Sequence, residues 1–460
     1  MSRLIVISNR VAAPTRSKTS IGGLAVALRD ALRENGGIWF GWSGKVGKQT
    51  STKAKITAEG NVTFATIDLQ RNHYNRYYNG FANRVLWPLC HYRLDLTAFS
   101  RDDFEAYQEV NALFCEKLLP LLKRGDQIWV HDYHLIPLGE RLREAGIKRP
   151  LGFFLHIPFP ELEVLTTLPR HHDLVKALCA YDVLGFQTHN DLRAFHDYIV
   201  CEAKGEIRGD NLVRAFGRTL RAEVFPISIN DVEFENYASQ APNSTWYKRL
   251  RKHPGNRGWI LGVDRLDYSK GIVERFRSFE RLLERYPDYH HHISLIQIAP
   301  PSRSEVVEYK EIRAELECLS GHINGRFAEY DWLPINYMNR SFNHTQLAAF
   351  YRTSCVGLVT PLRDGMNLVA KEYVASQNPD DPGVLVLSRF AGAARELDAA
   401  LIVNPFDHDR VADAIARGLE MPLDERKDRW RTMREVLRKN NLAKWRDNFI
   451  NALQNAPYDT

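Results

Sequence analysis

Gly258-Trp259-Ile260-Leu261-Gly262-Val263 runs straight into Asp264-Arg265-Leu266-Asp267-Tyr268-Ser269-Lys270-Gly271, and residues 272–286 then take up a helical period. The first run is short, apolar and free of alternation, the pattern of a strand buried on both faces. Strand, polar loop and amphipathic helix make one unit of a parallel sheet covered by helices. The unit recurs. Residues 292–299, 355–360 and 384–388 read as further strands, with helices at 304–320 and 368–377. Upstream, residues 4–8, 127–131, 151–156, 182–187 and 223–229 read as buried strands, and 23–34 as a helix stopped by Gly36-Gly37.

Two such series in 460 residues predict an α/β chain of two Rossmann-like, doubly wound parallel-sheet domains facing a central cleft. The polar stretch 230–257, with Pro242 and Pro254, marks the boundary, and the tail from residue 424 is charged and helical. The charge balance, 62 basic against 56 acidic residues, is too even to argue for nucleic acid. A pocket for an acidic substrate needs only a few cations. Cys90, Cys115, Cys179, Cys201, Cys318 and Cys355 form no Cys-x-x-Cys pair, so neither a zinc site nor a disulfide framework is expected. The N-terminus turns polar too quickly for a signal peptide, and no apolar run reaches the roughly 18 residues of a membrane span. A cytoplasmic protein is the expectation.

In open α/β sheets ligands bind beyond the carboxyl ends of the strands. Arg265 and Lys270, just past such an end, could grip a diphosphate; equally, they could form an exposed basic turn paired with Asp264 and Asp267. After residues 355–360 comes Arg363-Asp364-Gly365-Met366-Asn367, and then a helix opening at Leu368 whose first amides would face a phosphate. Glu372, one turn in, either accepts ribose hydroxyls or only complements the helix dipole. In the first half, Arg10 follows the first strand and Gly22-Gly23 opens the next helix. The pair is no Gly-x-Gly-x-x-Gly element, so a dinucleotide cofactor is poorly supported. His131-Asp132-Tyr133-His134 follows a strand end, but its spacing fits no common zinc pattern. Tyr78 and Trp87 either wall a pyranose face or pack in the core.

Ser8-Asn9-Arg10, Gly22-Gly23-Leu24, Trp39-Phe40-Gly41-Trp42-Ser43-Gly44, His131-Asp132-Tyr133-His134-Leu135, Phe154-Leu155-His156-Ile157-Pro158-Phe159-Pro160, Arg265 to Gly271 and Leu362 to Tyr373 together resemble the trehalose-6-phosphate synthases, above all the short bacterial ones. The resemblance covers nearly the whole chain, in order. It implies a GT-B fold with an acceptor domain at 1–235, a donor domain at 236–439 and a last helix, about 440–456, returning to the first domain. It implies UDP-glucose as donor, glucose 6-phosphate as acceptor, retention of anomeric configuration, no metal or cofactor, a dimer or tetramer, and a part in osmoprotection. Position by position, Arg10, Tyr78, Trp87, Asp132 and Arg303 resemble the acceptor site. Gly22, Gly23, Arg265, Lys270, Phe342, Leu368, Val369, Ala370, Lys371 and Glu372 resemble the donor site, and His156 and Asp364 surround the transferring glucose. Ile21 before the glycines and Arg16-Ser17-Lys18-Thr19 depart from the pattern.

No pair of carboxylates announces a nucleophile and its acid partner. Asp132 and Asp364 are available, but the resemblance points elsewhere and implies a front-face reaction, the departing phosphate taking the acceptor's proton, with His156 binding glucose rather than acting as base. Two other readings compete. A glucosylglycerol-phosphate synthase would keep the donor half and change the acceptor. A catalytically silent sugar-phosphate sensor would have broken donor motifs, whereas Arg265, Lys270, Asp364 and Glu372 are all present.

Overall fold

In the computed structural model of the chain, β1 (Leu4–Arg10) is buried along almost its whole length between two parallel neighbours. The structure describes residues 3–11, 28–29, 32–33, 36–49, 53–209, 211–252, 258–303 and 306–456. The chain forms two compact units that divide between Ile227 and Ser228, and residues from Ala443 onward belong to the first. The helix Asp231–Gln240 goes with the second unit, where Phe234 lies 5.4 Å from the His344 ring, so the division falls ahead of residue 235.

The first unit holds a ten-stranded sheet. Its strands are β1, β2 (Gly37–Gly47), β3 (Lys55–Glu59), β4 (Val62–Gln70), β5 (Gln127–His131), β6 (Leu151–Phe154), β7 (Val183–Phe186), β8 (Glu206–Arg208), β9 (Leu212–Ala215) and β10 (Arg218–Val224). Their order is β3-β4-β2-β1-β5-β6-β7-β10-β9-β8, parallel from β4 to β10 and antiparallel only where β3 and the β8–β9 pair close the edges. The strand expected at 223–229 is instead β10, and the chain leaves the sheet at Phe225. Of the helix expected at 23–34, Leu28, Arg29, Leu32 and Arg33 are helical; the rest, including Gly22, Gly23 and the departures at 16–19 and 21, lies outside the described residues. Gly36 donates to the Leu32 carbonyl at 2.8 Å with φ of 68°, the left-handed stop that the glycine pair predicts. The last helix, Leu442–Gln454, covers this sheet by laying Phe449 flat on Trp129, centroids 4.5 Å apart.

The second unit is a six-stranded sheet, parallel throughout. It comprises β11 (Gly258–Val263), β12 (Ile293–Ile298), β13 (Ile335–Met338), β14 (Ser354–Val359), β15 (Val384–Ser388) and β16 (Leu401–Val403), ordered β13-β12-β11-β14-β15-β16. Counted within the unit that is 3-2-1-4-5-6, the Rossmann order. The order reverses between β11 and β14, so the loops after these two strands flank the crevice where such sheets bind ligands. In the first unit the order reverses between β1 and β5, which places Arg10 and Asp132 on either side of the equivalent point. No helix among the described residues is long and apolar enough to cross a membrane.

Candidate active site

In the second unit, the turn Tyr268–Lys270 leaves β11 and ends at Gly271, whose φ is 62°. A Cβ at Gly271 would meet the Thr360 carbonyl oxygen at 2.4 Å, so only glycine lets the two loops close on each other. Beneath the loops lies Arg275, with a fully buried side chain. It donates to Asp264 at 2.8 Å, to Gln297 at 2.8 Å and to Thr360 at 3.1 Å, tying the ends of β11, β12 and β14 together. The sequence shows Arg275 only as one position of an amphipathic helix, Ile272–Arg285, and gives no sign of this role.

Both readings of the Arg265–Lys270 turn contain part of the geometry. The Lys270 ammonium is mostly buried and bonds Asp364, which also accepts from Asn367 at 3.1 Å. Arg265 is 41% exposed, and its Nε reaches Asp267 at 3.4 Å. Asn367 has φ of 70° and turns its side chain to Asp364 rather than capping the helix Leu368–Ala375 that it precedes. The amides of Leu368, Val369 and Ala370 therefore head a helix without a side-chain cap, beside a lysine, which makes an anion site.

Glu372, partly accessible at its edge, accepts from the Tyr351 hydroxyl at 2.8 Å, and burial pushes its carboxyl up to about 7. Lys371 departs from the expected role. Its ammonium is fully buried against Glu396 at 2.6 Å, and burial lowers its pKa, so the side chain is turned into the interior. Phe342 is likewise buried, edge-on to Trp246 and Phe350, with the Arg340 guanidinium 4.7 Å above its ring.

In the first unit, Arg10 is exposed at the end of β1, its guanidinium 5.9 Å from the Trp42 ring. Residues 71–90 form one helical run, of which Tyr74–Leu86 is wound as a π-helix. Such winding is uncommon and often marks a functional site. It sets Tyr78 between Tyr74 and His134, stacked at 5.6 and 5.8 Å, with its rim accessible. Trp87 instead is core: 5% exposed and stacked 4.1 Å from His91. Asp132 holds a strained φ of 76° and accepts from the His156 amide at 3.2 Å. The His156 ring lies 3.1 Å from His131 and near Phe154, and burial pulls its pKa down to about 3. A ring so weakly basic is neutral at pH 7 and is a poor base, but it can bind a hydroxyl. Among the described residues no three His, Cys, Asp or Glu side chains are arranged to hold a metal ion.

The glycosyltransferase family 20 model matches residues 3–455. A trehalose-6-phosphate synthase of Enterobacter sp. (strain 638) is 49% identical over 99% of this chain and 95% of its own length. A UDP-forming α,α-trehalose-phosphate synthase of Burkholderia xenovorans, solved in complex with glucose 6-phosphate, is 54% identical over 98% of this chain and 100% of its own, with a TM-score of 0.95. An E. coli structure bound with UDP-2-fluoro glucose is 47% identical over 99% of this chain and 100% of its own, with a TM-score of 0.94.

Proposed function

The chain belongs to glycosyltransferase family 20, and from that membership we infer that it is a glucosyltransferase making α,α-trehalose 6-phosphate and UDP from UDP-glucose and D-glucose 6-phosphate. One structural observation carries the donor half: at the switch point of the second sheet, Lys270 and Arg265 stand beside a helix that Asn367 leaves without a side-chain cap. Fixed cations and aligned amides there stabilise the charge that develops on a departing diphosphate, without a metal or cofactor. Glu372 then takes the ribose, and the backbone of residues 368–372 takes the phosphates. Arg10, Tyr78 and Asp132 are the candidates for binding the acceptor sugar, and Arg303 is a candidate for its phosphate. Trp87 backs that site from the core.

Glucose is transferred with retention, by a front-face step in which the β-phosphate takes the proton of the attacking hydroxyl. The weak basicity of His156 supports this, because it leaves the histidine to orient glucose. Asp364 is already committed to Lys270 and Asn367, which suits it to position glucose rather than attack it. Trapping a covalent glucosyl–aspartate adduct would overturn the step. Our reading is of a cytoplasmic enzyme that assembles as a dimer or tetramer, and light scattering after size-exclusion chromatography tests the assembly. The function itself is tested by UDP release, crossing several nucleotide sugars with several phosphorylated acceptors and identifying the product. Turnover with glycerol 3-phosphate but not glucose 6-phosphate would reassign it.

Two further results are expected. Arg303→Ala raises the KM for glucose 6-phosphate at least tenfold and that for UDP-glucose far less, since a charge-assisted bond is worth about 1.5–3 kcal/mol. Equal effects on both would reassign Arg303. The second concerns pH. Glu372 is protonated for half its population at about pH 7 in the free enzyme, and ribose hydroxyls bind its ionised form. Binding therefore releases a proton, and affinity weakens as pH falls. Titrating the enzyme with UDP-glucose alone should show about tenfold weaker binding at pH 6 than at pH 8. Glu372→Gln should bind more weakly at pH 8 and lose the pH dependence; a variant that keeps the wild-type slope assigns the proton elsewhere.

A further inference from the structure

Asp267 is a buried carboxylate that no part of the reaction described so far uses. Its surroundings are unusual. One oxygen accepts from the Ser269 amide at 3.0 Å and the Ser269 hydroxyl at 2.9 Å. The other accepts from the Tyr309 hydroxyl at 2.9 Å, from Arg265 Nε at 3.4 Å and from Arg303 Nη1 at 3.4 Å. Tyr309 opens the helix Val307–Phe327, is almost wholly buried, and its hydroxyl also contacts Arg303. Burial raises its pKa well above the usual phenol value, so it stays a hydrogen-bond donor at every working pH. Arg303 itself sits at φ of 47°, a costly backbone for a residue with a Cβ, with its side chain only 7% exposed.

Two arginines that serve different substrates thus share one carboxylate oxygen. Each reaches it at 3.4 Å, so their nitrogens are at most twice that distance apart. Side by side and without Asp267, two guanidinium groups would repel. The serine and tyrosine contacts have full hydrogen-bond length, while both arginine contacts exceed the roughly 2.7–2.9 Å of an optimal charge-assisted bond. The carboxylate is anchored, and both arginines lean on the same oxygen of it. A phosphate that fixes one arginine also settles the oxygen that it shares with the other and so orders that other in advance, which makes the second binding event cheaper.

We propose that Asp267, aimed by Tyr309 and Ser269, is a positioning residue that couples the two phosphate sites, so that filling the acceptor site through Arg303 orders Arg265 for the donor diphosphate, and the reverse. This rests on the assignment of UDP and glucose 6-phosphate as ligands. Reciprocity follows from linkage: each ligand strengthens the other by the same factor.

The test is calorimetric titration of the full chain with UDP, without and with saturating glucose 6-phosphate, and the converse titration. In the wild type each ligand should tighten the other at least threefold. In Asp267→Asn that factor should fall to about one, whether or not the separate affinities also fall. Tyr309→Phe keeps the carboxylate and removes one of its anchors; it should give an intermediate factor, and it carries the test if Asp267→Asn does not fold. A residue with a merely structural role would lower the affinities and leave the factor unchanged. An unchanged factor in Asp267→Asn, or in Tyr309→Phe where the first variant does not fold, overturns the proposal, as does a wild-type factor of one. If the wild type binds neither ligand, the assignment of substrates fails first and the coupling with it.

Discussion

Lys270→Ala should lower kcat by about 10²–10³ while leaving the KM for glucose 6-phosphate within threefold, measured by UDP release at saturating donor. The expectation follows from where the ammonium sits. It is mostly buried, directly against Asp364, at the switch point of the sheet and beside the start of the helix Leu368–Ala375. In a site of low dielectric, a preorganised cation next to developing phosphate charge is worth about 2.7–4 kcal/mol. Truncation also strips Asp364 of its cation and leaves an anion beside the diphosphate. Arg265→Ala should lose less in kcat, because its guanidinium is 41% exposed and partly screened, though at least tenfold in kcat/KM. A Lys270→Ala enzyme within threefold of wild-type kcat would remove Lys270 from leaving-group stabilisation and shift that role onto the helix amides.

What could be read from the sequence divides along physical lines. Strands buried on both faces, such as β5, β11 and β15, show as unbroken apolar runs, and the loops after β11 and β14 hold Arg265, Lys270 and Asp364 where the run ends. β2 does not show. It is 11 residues long, but Gly41, Ser43 and Gly44 interrupt its apolar pattern, and the stretch reads as a motif rather than a strand. β13 and β16 are edge strands of 4 and 3 residues, too short to establish a period. The site has the same limit. Position in a motif does not fix the direction of a side chain. Lys371 and Glu372 are neighbours in sequence, but successive helical positions lie about 100° apart. One consequently pairs with Glu396 in the interior and the other with Tyr351. Arg275 carries no motif, and Asp267 shows in its motif only as a partner for the basic turn, because what matters is the partners that β12, β14 and Tyr309 bring to them from far along the chain.

Arg275→Met tests how much the donor half depends on that hidden scaffold. The arginine side chain is fully buried, and its partner Asp264 is only 2% exposed. Replacing both members of a buried pair by apolar groups can be nearly neutral, but removing one leaves an uncompensated charge and costs about 3–5 kcal/mol. Each kcal/mol moves the midpoint of a unit of 150–250 residues by about 2–4 °C, so the melting temperature of the second unit should fall by about 6–20 °C. Methionine keeps much of the volume, which ties the loss to charge and hydrogen bonds rather than to a cavity. The loss should also depend on pH. Burial already raises the Asp264 carboxyl above its ordinary range, and Arg275 is the largest influence holding it down. Without the arginine, the folded state holds that proton more tightly than the unfolded state does, so stability falls as pH rises out of the ordinary carboxylate range. The deficit relative to wild type should therefore be smallest near pH 4–5 and grow toward neutrality. Adding Asp264→Asn to Arg275→Met should recover part of the loss at pH 7 and flatten its pH dependence. A single variant that melts within 2 °C of wild type at pH 7, far short of the shift expected for a stranded buried charge, would show that the loops after β11 and β14 are held by their backbone contacts alone.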